Sequence, residues 1–129
     1  MSIELTCLVW STAVGFAYIC AQVLTLYAER GLGSYDSKRD EKFERGLYTA
    51  RGERALRNFL ETYPFFIALV LAAELSGSKD WYTATGAIIY LVARVVYIPF
   101  YIAGLGYLRT TAWTIAGIGL AMMFLGVLF

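Results

Sequence analysis

From Leu5 to Ala28 the chain carries no charged residue. About 24 residues of helix, rising ~1.5 Å each, measure about 36 Å, enough to cross a hydrocarbon core ~30 Å thick. A cleaved signal peptide is the rival reading. Glu4 is the only preceding charge, no basic region leads in, and the stretch outruns the apolar core of a signal, so the run is expected to span. Further apolar runs at about 55–75, 81–103 and 111–129 have the same character. They are separated by a polar connection over 29–54, by the turn Ser76-Gly77-Ser78-Lys79-Asp80, and by Gly104-Leu105-Gly106 ahead of Arg109. With 59% of residues apolar and 16% charged, against about half and about a quarter in soluble domains, the surplus apolar surface must face lipid. The expected fold class is all-α integral membrane, a four-transmembrane-helix bundle that forms a single domain over 1–129.

Composition removes several chemistries. A net charge of +1 gives no general attraction to nucleic acid. The absence of histidine removes the commonest general base and metal ligand. Cys7 and Cys20 lie on one expected helix, too far apart along it to bond, and read as buried thiols; no metal is expected. Charge asymmetry orients the chain. The first and third connections share a side that collects Arg30, Lys38, Arg39, Lys42, Arg45, Arg51, Arg54, Arg57 and Arg109, and the other side has Lys79. The basic side is expected in the cytoplasm and both termini outside it, with Trp81, Tyr82 and Trp113 as interfacial anchors.

Ionisable residues inside the apolar runs carry the functional signal. At ~100° per residue, Arg54, Arg57, Asn58 and Glu61 fall within an arc of about 100° on the second helix, and Tyr90, Arg94, Tyr97 and Tyr101 within about 60° on the third. A mid-helix arginine costs about 2.5–3.5 kcal/mol on the mildest insertion scale and should face partners or a wet cavity. The simplest bundle sets the two stripes opposite each other in the cytoplasmic half, with Arg109 capping that end. A buried Glu61–Arg94 ion pair, closed by Asn58 and the tyrosines, is a purely structural account of the same residues. The surplus of arginine over carboxylate favours an anionic ligand with bidentate acceptors and a separate cation for Glu61. Glutathione has two carboxylates, an ammonium group and a thiol whose pKa an arginine can lower.

The segment Arg54-Ala55-Leu56-Arg57-Asn58-Phe59-Leu60-Glu61-Thr62-Tyr63-Pro64 resembles the second-helix signature of the MAPEG family, the membrane-associated proteins in eicosanoid and glutathione metabolism. Ala93-Arg94-Val95-Val96-Tyr97-Ile98-Pro99-Phe100-Tyr101-Ile102-Ala103-Gly104, followed by Leu108-Arg109-Thr110, resembles the third-helix signature in its bacterial form. The resemblance implies a homotrimer with glutathione as cosubstrate, bound between subunits near the cytoplasmic face, and a lipophilic substrate approaching from the bilayer. It carries glutathione contacts onto Arg54, Asn58, Glu61, Arg94, Tyr97 and Tyr101, with Arg51, Arg57 and Arg30 at positions used less uniformly. Arg109 resembles the arginine that stabilises the thiolate in catalytic members. A bacterial inner-membrane location follows from the same likeness.

The leading expectation is therefore a glutathione-dependent membrane transferase or peroxidase acting on lipophilic electrophiles or lipid hydroperoxides. A non-catalytic lipid-binding scaffold of the same family is the alternative. A small four-helix transporter matches in size, but that class keeps its essential carboxylate in the first helix, and 5–28 contains none. Pro99 is expected to kink the third helix, and Gly117, Gly119 and Gly126 to allow close helix packing.

Overall fold

The computed structural model describes residues 1–30, 47–104 and 106–129, and side-chain surroundings for all of these except 27–30, 47–49 and 102. Four helices account for most of them: α1 (Ile3–Arg30), α2 (Leu47–Ser76), α3 (Trp81–Ile102) and α4 (Gly106–Leu128). Each contains a stretch long and apolar enough to cross a membrane, and the chain is an integral multi-pass membrane protein. Two boundaries differ from the sequence expectation. α2 begins at Leu47, so the helix takes in Arg51 and Arg54 from the expected connection as well as Arg57. α4 begins at Gly106, which likewise puts Arg109 and Thr110 on its first turns. In both cases the helix continues past the edge of the apolar run, where polar side chains can reach the headgroup region.

Buried positions in every helix recur mostly at steps of three, four or seven. They include Glu4, Cys7, Ser11 and Tyr18 in α1, and Gly52, Ala55, Phe59, Phe66, Val70 and Ala73 in α2. In α3 they include Thr83, Ala87, Tyr90, Arg94, Tyr97 and Tyr101, and in α4 Ala112, Ala116, Gly119, Met123 and Gly126. This is the 3.5-residue seam of a coiled-coil-like bundle, and lipid supplies no hydrophobic drive between helices. The seam accordingly selects small, aromatic and polar residues for the inside and leaves Phe16, Phe65, Val92, Ile118 and Phe124 exposed on the outside.

Contacts at the two ends give the topology. Glu4 accepts from the Thr83 hydroxyl at 2.8 Å, Ser2 bonds Glu74, and Lys79 pairs with Glu74 at 3.3 Å. Gly126 packs on Thr83, Tyr82 and Asp80. Both termini therefore lie at the end that holds the 76–80 turn. That turn is made by Gly77 at φ +73° and closed by a capping box in which Asp80 and Thr83 exchange side-chain to backbone hydrogen bonds. The other end joins Gly52 to Gln22 and Thr25, and Arg51 to the Gly104 turn. Glu4 is thus a residue of α1, only 3% exposed, so the first span is not free of carboxylates. It sits at the helix start and is tied to a capping network, not at mid-span where a transport carboxylate would act.

The tightest crossing is α3 on α4. A Cβ on Gly86 would lie 2.5 Å from the Gly119 carbonyl oxygen, and one on Gly119 would lie 2.7 Å from that of Gly86. Gly119 and Gly126 fulfil their expected packing role, whereas Gly117 has nothing within 4 Å of its would-be Cβ and does not; Gly86 joins the group instead. Gly86→Ala should therefore destabilise the bundle by about 1–3 kcal/mol, as overpacked cores do. Gly117→Ala should leave it unchanged, read as unfolding in mixed detergent followed by circular dichroism.

Candidate functional site

Arg94 is the largest fully buried side chain, 0% exposed, at roughly 10 Å from the basic end of α3. Its guanidinium is enclosed by rings: 4.4 Å from the Tyr97 centroid and 5.5 Å from those of Tyr18 and Phe59. Nη1 donates to Asn58 Oδ1 at 2.9 Å, and among the described residues Nε and Nη2 have no hydrogen-bond partner. The Tyr18 hydroxyl donates to the Arg94 carbonyl at 2.7 Å and so fixes the backbone from α1. Desolvated cation–π contacts of this kind contribute up to about 2 kcal/mol each. They, with one charge-assisted hydrogen bond, hold the cation in place of the carboxylate that the purely structural reading supplied.

Glu61 is not that partner. It is exposed and lines a cleft of about 440 Å³ with Gln22, Glu53, Leu56, Arg57 and Leu60, on the α1 flank of α2. The stripe Arg54, Arg57, Asn58, Glu61 exists as a stripe, but it does not face the α3 stripe. Burial of Ala55, Phe59 and Phe66 decides the rotation of α2 and turns Arg54, Arg57 and Glu61 to the outside of the subunit. Asn58 alone, on the shoulder of that seam, reaches the α3 stripe.

On the opposite flank of α2, a cavity of about 280 Å³ is lined by Asn58, Tyr97, Tyr101, Arg109, Thr110 and Trp113. Arg109 lies over the Tyr101 ring at 4.8 Å, and the Tyr97 and Tyr101 rings are 5.4 Å apart. Arg109 reaches the cavity because α4 starts early enough to give it a fixed helical position. Arg94 stands behind the wall, not in it. Arg51 lies against Gly104, whose φ of +75° and missing Cβ let the guanidinium approach within 3 Å of where a side chain would begin. The Arg30 side chain and the residues 31–46 lie outside the described residues.

The structure thus brings together Asn58, Tyr97, Tyr101 and Arg109, with Arg94 behind them, and separates Arg54, Arg57 and Glu61 from that group. Sequence reasoning missed Tyr18 and took Trp113 only as an interfacial anchor. The signal for Tyr18 was present: Glu4, Cys7, Ser11 and Tyr18 share one narrow face of an otherwise apolar helix.

A family model matches residues 7–129, nearly the whole chain, and its description is the MAPEG family. The chain belongs to the MAPEG family. No curated protein and no solved structure matches it, so membership rests on the family model and on the residues just described. The MAPEG family has glutathione-related membrane functions, and not all its members are catalytic.

The Arg94–Asn58 bond has a measurable signature. Asn58→Leu should destabilise the protein by about 2–4 kcal/mol, since it strands a buried cation. Arg94→Met added to Asn58→Leu should recover most of that loss. A double-mutant cycle of unfolding free energies in detergent checks both values.

Proposed function

We propose that the protein is a glutathione-dependent membrane enzyme, a transferase or peroxidase acting on lipophilic electrophiles or lipid hydroperoxides. The observation that carries the reading is the cavity on the Asn58 flank. Among the described residues, its polar lining consists of an amide, two phenols, a hydroxyl, an indole and one guanidinium, with no carboxylate. Such a lining suits an anion. Arg109 would hold the thiolate sulfur, lowering the thiol pKa by a fixed positive charge in a low-dielectric site. Attack on a carbon electrophile gives a thioether, while attack on a peroxide oxygen gives a sulfenic acid and an alcohol. Trp113, 48% exposed, belongs both to the cavity and to the outer surface of α4, so an apolar substrate can reach the sulfur from the bilayer.

The remaining candidate contacts support a site completed by a second subunit. Arg57 and Glu61 line one cleft on the exposed side of α2 and Asn58 lines another, so neither cleft by itself holds all the candidate contacts. In a homotrimer, the Glu61 cleft of one copy facing the Arg109 cavity of the next supplies both a carboxylate for the glutathione amine and donors for its anions. Exposed charges along a membrane span also call for such cover. The basic end, with Arg51, Arg54, Arg57 and Arg109, faces the cytoplasm in this reading, and both termini face away from it.

A lipid-binding, non-catalytic reading draws on one further observation, an apolar groove of about 340 Å³ between Ile88, Val92 and Val96 of α3 and Ala112 and Ile115 of α4. Co-purified lipid in that groove without thiolate formation at the cavity would favour it.

Isothermal titration of the detergent-purified protein with glutathione tests the enzyme reading. Saturable binding is expected, with an ultraviolet thiolate band that Arg109→Ala abolishes. Glu61→Gln should weaken binding by about tenfold, the loss of one charge-assisted contact. Absence of binding in both detergent and lipid would remove glutathione from the account.

A further inference from the structure

The bond between Arg94 and Asn58 constrains more than stability, because a guanidinium has five donors and no acceptor. The atom of Asn58 that faces Arg94 must therefore be the carbonyl oxygen, whichever way the amide is drawn. Arg94 is wholly buried and fixed by Tyr18, Phe59 and Tyr97, so it does not turn aside to release that oxygen. Asn58 also lines the cavity with Tyr97, Tyr101 and Arg109, and with Oδ1 committed to Arg94 the half of the amide it can offer there is the Nδ2 group.

We infer that Arg94 is a positioning residue that never touches the ligand, and that it sets Asn58 as an obligate donor, so the group seated at Asn58 is a hydrogen-bond acceptor of anionic character. This deepens the glutathione reading and rests on it for the ligand's name. At Asn58 the cavity takes a carboxylate or thiolate of glutathione and rejects its ammonium, which leaves the amine to the Glu61 side. A free anion such as sulfate satisfies the same chemistry.

Replacement of the amide by its isosteric acid separates the two halves of this claim. In Asn58→Asp one oxygen still accepts from Arg94, now with full charge pairing, and the other presents a carboxylate to the cavity where a donor stood. The expected result is a thermal midpoint at or above that of the parent, with glutathione affinity lowered by at least about tenfold. Asn58→Leu serves as the reference for a lost acceptor and should lower the midpoint. Two results would overturn the inference: an Asn58→Asp protein that binds glutathione as tightly as the parent, or one destabilised as much as Asn58→Leu. Either would leave the glutathione reading intact if the parent binds it. A parent that ignores glutathione but binds inorganic sulfate, with that binding lost in Asn58→Asp, would uphold the inference and end the glutathione reading. A parent that binds neither would end both.

Discussion

A cation that cannot lose its proton lies fully buried in a bundle that spans a bilayer, and the rest of the structure is arranged around that fact. Arginine stays charged under all relevant conditions, so the protein cannot neutralise Arg94 and must surround it. Among the described residues it does so with three aromatic rings and one amide oxygen rather than a carboxylate. The arrangement draws on three helices: Tyr18 from α1, Asn58 and Phe59 from α2, and Arg94 with Tyr97 from α3. Pulling any one of them away exposes the charge to lipid or leaves it unpaired, which makes the cluster a lock on the relative rotation of the helices.

From that lock the functional surface follows. Because Asn58 is used from inside, α2 can present Arg54, Arg57 and Glu61 only to the outside, and the two polar clefts fall on opposite flanks of one helix. Because Tyr97 is packed against Arg94, Tyr101 one turn later carries Arg109 on its ring and forms the cavity wall. The donor character proposed for Asn58 at this site has the same source. A buried positive charge behind the wall orients a neutral amide, and a neutral amide so oriented favours anions without adding a second charge to the cavity. The opposite end of the bundle is built on another principle, with Glu4, Asp80 and Thr83 closing helix ends by hydrogen bonds and no surplus of cations.

The crossing of α3 and α4 sets the remaining dimension. Gly86 and Gly119 bring two backbones into contact in a medium where helix association depends on packing rather than on the exclusion of water. That close approach fixes where Arg109, on the first turns of α4, stands relative to the tyrosines of α3. An arginine positioned this way depends on glycines far along the helix from it.

The number of spans, the common side of Arg51, Arg54, Arg57 and Arg109, the polar stripes on α2 and α3, and the likeness to the MAPEG family were all legible in the sequence. Each depends on length, charge or period along a single helix, and those quantities do not change when helices pack. Tertiary structure alone decided how the stripes face one another. Rotation of α2 was settled by the burial of Phe59 and Phe66, a competition among faces of one helix for the inside that charges alone do not reveal. The Glu61–Arg94 pair weighed as a structural alternative gave way to Asn58 and a set of rings for that reason. Helix starts at Leu47 and Gly106 were equally out of reach, because apolar runs mark where lipid begins, whereas a helix continues until its backbone finds other partners.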